Sequence, residues 1–104
     1  MEIEISSRHG PVVEPFKEYA QKKVERLLKY FNLIQRIRVV LDVRGDGSCC
    51  EIIAEIEHSR DLVAEACSED MHASVDAAVD KLERQLVHHK DQVRDRKGRG
   101  PNPH

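Results

Sequence analysis

Ile3 and Ile5 alternate with the polar Glu2, Glu4 and Ser6, the period of two expected of a strand with one buried face. Glu2 to Ser7 is therefore predicted as the first strand. Gly10 and Pro11 break the pattern, and Pro15 stands where the first turn of a helix tolerates proline. Phe16, Ala20, Val24, Leu27, Leu28 and Phe31 then recur at three- and four-residue spacing, which predicts an amphipathic helix ending near Phe31 or Asn32. Period two returns from Gln35 to Arg44, where Ile37, Val39, Leu41 and Val43 alternate with Arg36, Arg38 and Asp42 and only Val40 breaks the rule. Gly45, Asp46 and Gly47 take positive φ at low cost and reverse the chain into Cys49 to His58. There Cys50, Ile52, Ala54 and Ile56 face one way, and Glu51, Glu55 and Glu57 the other. Leu62 to Ser68 adds a last strand with Leu62, Ala64 and Ala66 inward. Asp70 is a good N-cap, and Met71, Val75, Ala78, Val79, Leu82, Leu86, His89 and Val93 mark a second helix expected to fray after Val93.

The order β-α-β-β-β-α predicts an α+β two-layer sandwich, a four-stranded sheet with two helices packed on one face, because both helical stripes need the same apolar sheet face. A right-handed crossover makes the first two strands parallel and leaves the rest as an antiparallel meander. Residues 1–96 are read as one domain. Residues 97–104, with Gly98, Gly100, Pro101 and Pro103, are read as a short basic disordered tail.

The chain has 104 residues, 39% hydrophobic and 35% charged, which supports one core. No apolar run approaches the roughly 20 residues of a membrane span, and MEIEISSR lacks the basic start and apolar stretch of a signal peptide, so a cytoplasmic protein is expected. Cys49, Cys50 and Cys67 cannot all pair, and Cys49 and Cys50 point to opposite faces of one strand. They are expected as small, buried or half-buried thiols in a reducing compartment.

Charge changes the picture more. The formal net charge is -2, but residues 1–16 sum to -2, 17–38 to +5, 39–80 to -9 and 81–104 to +4. Fourteen of the seventeen Lys and Arg lie in the second and fourth blocks, so the total hides two basic elements and one acidic one. At 100° per residue, Lys22, Arg26 and Lys29 fall within about 60° of each other opposite the apolar stripe of the first helix, with Lys23 at the flank. On the second helix Lys81, Arg84 and His88 share a similar arc, joined by Gln85 and Gln92. A charged face on one amphipathic helix is ordinarily its solvated side. Two such faces, expected on the same side of the molecule and pointing away from the sheet, favour a phosphate-rich partner. Zinc-finger spacing and an RNP-type aromatic pattern are missing, which points to recognition of shape and backbone.

EYAQKKVERLLKYF, Glu18 to Phe31, and SEDMHASVDAAVDKLERQLVHHKDQV, Ser68 to Val93, closely resemble the short ribosome hibernation promoting factors and ribosome-associated translation inhibitors of bacteria. The resemblance runs from EIEIS to about Arg96, and the DM-to-DKLERQL segment is its most specific part. It implies binding to the small ribosomal subunit and its RNA, in the messenger and transfer RNA channel near the decoding centre, where occupancy silences idle or stressed ribosomes. By position it implies RNA contacts from Lys23, Arg26 and Lys29, and from Lys81, Arg84, Lys90 and Arg94; Lys22 and His88 join them from the face reading. His72 replaces a usual Tyr, and His88 a common Lys, which makes the contact of His88 weaker and dependent on pH. The longer relatives carry a second, dimerising domain, and some inhibitors an acidic tail where this chain has KGRGPNPH. The promoter-like type, monomeric off the ribosome, is therefore expected.

Three other readings fit the chain less well. A metal or thiol enzyme would use Cys49, Cys50, Cys67, His58 and His72, but no CxxC pair or ligand motif unites them, and His88 and His89 diverge by 100° on a helix. No catalysis, cofactor, metal, membrane or small-molecule substrate is expected. A general double-stranded-RNA-binding module also packs two helices on a small sheet and reads shape. A protein-interaction module using Glu51, Glu55 and Glu57 lacks an apolar patch.

Overall fold

The computed structural model describes residues 2–98, with side chains described through His89 except Tyr30. It contains β1 (Glu2–Ser7), α1 (Glu14–Tyr30), β2 (Ile34–Arg44), β3 (Gly47–Ile56), β4 (Leu62–Ser68) and α2 (Met71–Gly98). The four strands lie in the order β1-β2-β3-β4, with β1 parallel to β2 and the other neighbours antiparallel. This is the β-α-β-β-β-α sandwich that the hydrophobic periods predict. α1 covers the β1–β2 side of the sheet and α2 the β3–β4 side. Among the described residues, no helix is long and apolar enough to cross a membrane.

The core joins Ala20, Val24 and Leu27 of α1 and Val75, Ala78, Leu82 and Leu86 of α2 to the helix-facing residues of the sheet, notably Ile37, Val39, Ile52 and Ala54. Ala64 and Ala66 are the β4 contribution, and their small side chains let α2 lie close to the sheet. Ser74 is fully buried on the same face, and its hydroxyl donates to the Met71 carbonyl at 2.9 Å, so the polar group is satisfied within the helix. The predicted N-cap holds: the Asp70 carboxylate accepts the Ala73 amide at 2.9 Å. α1 begins instead with a proline in its first turn and no side-chain cap.

Several expectations need correction. Val43 is 60% exposed, because it lies at the hairpin end of β2 and the core stops at Leu41. The hairpin turns on Gly45 and Asp46, and the glycine that matters is Gly47: a Cβ there would come 2.6 Å from the Ser68 carbonyl oxygen. α2 continues to Gly98 past Val93, so Lys97 and Gly98, assigned to the tail, are helical, and residues 99–104 lie outside the described residues. The cysteines differ most. Cys50 is a buried free thiol, as expected, and burial pushes it up to about 12. Cys49 and Cys67, however, are joined by a disulfide, with their Cα atoms 4.0 Å apart. Cys49 and Cys50 do point apart; the sequence reading missed that Cys67 is the cross-strand partner of Cys49. The cysteine content therefore gives no support to a reducing compartment.

The outer face of the sheet, away from the helices, is a mesh of opposite charges. Arg36 lies 3.3, 3.8 and 3.6 Å from Glu2, Glu4 and Glu55, and Arg38 lies 3.4 Å from Glu55. Further along, the buried carboxylate of Asp42 is approached by Arg8 at 3.7 Å, His9 at 3.4 Å and Arg44 at 3.0 Å. Arg8 also reaches Glu51 at 3.9 Å. The face expected to be acidic is thus largely neutralised by Arg8, Arg36, Arg38 and Arg44, of which Arg36 and Arg38 belong by sequence to the basic 17–38 block.

Candidate nucleic-acid interface

The outward side of the two helices carries most of the residues predicted to bind RNA. Lys22, Arg26 and Lys29 stand exposed on α1, one helical turn or so apart, where the opposite stripe of Ala20, Val24 and Leu27 is locked into the core. Arg84 is exposed on α2, opposite Leu82 and Leu86. Among the described residues, none of these four cations has a hydrogen bond or an ion pair. They are held on rigid helices with their charge uncommitted.

The remaining predicted residues divide by circumstance. Lys23 turns toward α2, where its Nζ lies 3.2 Å from an Asp76 carboxylate oxygen and 5.6 Å from the centre of the Tyr19 ring. Lys81 was expected to point away from the sheet. It leans to the sheet edge instead, and its ammonium donates to the Glu65 carbonyl of β4 at 2.9 Å. Gln85, one turn later, donates to the Val63 carbonyl at 2.9 Å. The physical reason is that β4 is an edge strand with outward carbonyls lacking a neighbouring strand, and α2 lies directly above it. His88 is exposed and His89 half-buried, the divergence expected of neighbours on a helix. Lys90 and Arg94 lie on the helix backbone, but their side chains are outside the described residues.

Between the helices the charges are complementary. Lys23 and Arg26 of α1 face Asp80 and Glu83 of α2 across a groove of about 90 Å³ floored by Leu27 and Val79. At this size it does not admit a drug-sized ligand, which needs roughly 300 Å³ or more. Asp76 continues the acidic flank one turn toward the N-terminus. The Tyr19 hydroxyl donates to Asp76 at 2.6 Å, and this bond, with Lys23 behind it, holds the carboxyl below the usual range while raising the phenol above its own. His72 packs edge-on against Tyr19 and Phe16, with ring centres 4.4 and 5.4 Å apart.

The sequence reading missed this seam. Its signal was present in the i, i+4, i+7 spacing of Asp76, Asp80 and Glu83, which puts three acids on one flank of α2 beside the basic flank of α1. Among the described side chains the resulting surface is a basic ridge of Lys22, Arg26 and Lys29 on α1 and the cation of Arg84 on α2, separated by an acidic stripe. Such a surface suits phosphate contacts made outside the groove, because a phosphate lowered into it would meet Asp80 and Glu83.

Known proteins resemble this chain in sequence and fold. A family model described as sigma 54 modulation protein / S30EA ribosomal protein matches residues 3–94. The chain is 35% identical over 91 residues to a ribosome hibernation promoting factor of Pseudomonas putida, with 88% of each chain covered. Among solved structures it resembles the N-terminal domain of Protein Y of Thermus thermophilus with a TM-score of 0.75 and 28% identity, covering 86% of this chain and 99% of that one. It shares the fold of a ribosomal subunit interface protein from Coxiella burnetii with a TM-score of 0.80 at 24% identity, over 88% and 99% of the two chains. Matched over nearly its whole folded length, the chain belongs to the sigma 54 modulation protein / S30EA ribosomal protein family.

Proposed function

We propose that this protein is a ribosome hibernation factor, which binds the small ribosomal subunit in the messenger and transfer RNA channel near the decoding centre and blocks translation by occupying it. The observation that carries the reading is the set of exposed cations Lys22, Arg26, Lys29 and Arg84 on the helical side, which have no hydrogen bond or ion pair among the described residues, in a chain whose relative is named a ribosome hibernation promoting factor. These four make the principal contacts to ribosomal RNA. Because they are already ordered on helices, binding releases phosphate counterions without the cost of folding a disordered arm. Lys23, Lys81 and His88 are secondary contacts; Lys23 and Lys81 must share or give up Asp76 and the Glu65 carbonyl to reach a phosphate. Lys90 and Arg94 complete the site by family position. The protein acts in the cytoplasm as a monomer until it meets a ribosome, and it inhibits without chemistry.

The test is a reconstituted translation assay in which the protein is titrated against ribosomes. Inhibition is expected to saturate near one protein per small subunit and to be relieved by excess messenger and initiator transfer RNA. Full inhibition at a small fraction of that ratio, with cut ribosomal RNA, would show a nuclease. Equal affinity for plain duplex RNA would favour a general double-stranded-RNA-binding module.

A further inference from the structure

Cys67 stands directly across the β3–β4 ladder from Cys49. Val63 and Glu65 turn their carbonyls outward to Gln85 and Lys81, so the odd-numbered residues of β4 form the non-hydrogen-bonded pairs with β3. In such pairs the facing Cα atoms come closest, and these two are 4.0 Å apart. The sulfurs therefore meet on the outer face of the sheet without any movement of the ladder. Their access to solvent differs sharply: Cys49 is 3% exposed beside Asp42, whereas Cys67 is exposed on the edge strand. The third cysteine, Cys50, points into the core under the helices, and burial keeps it a thiol.

We propose that Cys49 and Cys67 form a redox modification site, a thiol–disulfide pair that exchanges with small soluble thiols of the glutathione class through Cys67 alone. In the reductive direction, a small thiolate attacks the exposed Cys67 sulfur. The bond to Cys49 breaks, and the Cys49 sulfur leaves and takes a proton. A second small thiolate then attacks the small-molecule sulfur of the mixed disulfide, which frees Cys67 as a thiol. The balance is one protein disulfide and two small thiols giving two protein thiols and one small disulfide, and oxidation runs the same steps backward. Attack at Cys49 is closed by its burial. In the oxidised state the bond staples the edge strand to β3, and with it the two carbonyls that anchor Lys81 and Gln85.

The test uses the full chain, equilibrated with reduced and oxidised glutathione in varied ratio, quenched with iodoacetamide and mapped by fragmentation that separates Cys49 from Cys50. The expected result is a reversible loss of about 2 Da with Cys49 linked to Cys67, and Cys50 alkylated only after denaturation. Oxidised glutathione should modify Cys67 in Cys49→Ser at least about 10-fold faster than Cys49 in Cys67→Ser, in variants shown to be folded by circular dichroism. The oxidised parent should also melt more than about 5 °C above the reduced parent. A Cys50–Cys67 link, disulfide-bonded dimers, equal rates in the two variants, equal melting of the two states, or a bond that millimolar glutathione fails to reduce in the folded protein would overturn the proposal.

Discussion

Arg36 and Arg38 on the outer face of the sheet, and Arg26 and Arg84 on the helices, are the same side chain in opposite circumstances. The first two are held among Glu2, Glu4 and Glu55, whose carboxylates lie between 3.3 and 3.8 Å away. The second two have no such partner among the described residues. The difference follows from geometry. Neighbouring strands bring Arg36 into the same row as Glu2 and Glu55, so cross-strand pairing neutralises it. A ridge on the solvent side of a helix has no strand beside it. Counting cations by sequence block therefore finds where charge is carried, but only the tertiary pairing shows which of it is left for a partner.

The largest expected effect sets the two pairs against each other at equal charge change. Arg26→Glu with Arg84→Glu should weaken ribosome co-sedimentation by about 100-fold or more near 0.1 M salt, with melting within about 2 °C of the parent, as for most surface substitutions. Arg36→Glu with Arg38→Glu should do the reverse. It leaves Glu2, Glu4 and Glu55 facing like charges, which costs up to about 1 kcal/mol per pair and lowers melting by roughly 5 °C or more. The folded fraction should still bind ribosomes within about threefold of the parent. Equal weakening by both double variants would mean that the ribosome feels only net charge and does not distinguish the paired arginines of the sheet from those of the helices.

How much of this was legible in the chain depended on the range of the interaction. Ile37, Val39, Ile52, Ala54, Leu82 and Leu86 were placed correctly because a period of two or 3.6 is a local property, and the single buried face does the rest. Asp70 was legible for the same reason. Lys81 was placed on the correct arc of its helix, yet its commitment to the Glu65 carbonyl depends on which strand lies beneath α2 and on that strand's being an edge. The Cys49–Cys67 bond needed the register of β3 against β4, which no local pattern encodes. Val43 failed because periodicity continues to the end of a strand while the helices covering it do not.

A smaller effect sharpens the comparison within α2. Each lost phosphate contact lowers the slope of log affinity against log salt by about 0.7 to 0.9. Arg84→Met should show this full loss. Lys81→Met should show clearly less, because its ammonium is shared with β4. Its cost should appear instead as faster hydrogen exchange along β4 and a greater tendency to associate, the consequence of uncovering an edge strand. A full slope change for Lys81→Met with unaltered exchange would show that the carbonyl contact is dispensable and that Lys81 belongs with Arg84.

The smallest effect concerns Lys23, which stands between the two classes: a helix cation engaged within the molecule. It shares Asp76 with Tyr19, whose hydroxyl is the main cause of the lowered Asp76 pKa. A carboxylate lowered in the folded state stabilises the fold above its unfolded value, near 4, and loses that contribution as pH falls through the folded one. Tyr19→Phe removes the principal donor. It should therefore destabilise at pH 7 and progressively less below about pH 4, where the parent loses the same contribution. Because Asp76 is 44% exposed, solvent screens the interaction, and the neutral-pH loss should be about 0.5 kcal/mol, or roughly 2 to 4 °C in melting. Without the phenol, Asp76 retains Lys23 as its remaining close partner and holds it more firmly. Ribosome affinity in Tyr19→Phe should then stay level or fall slightly at low salt. A rise would show that Tyr19 and Asp76 together, and not Asp76 alone, keep Lys23 from the RNA. A destabilisation that persists unchanged at low pH would leave the ionised carboxylate out of the account, because Phe keeps the ring contact with His72 and only the hydroxyl is lost.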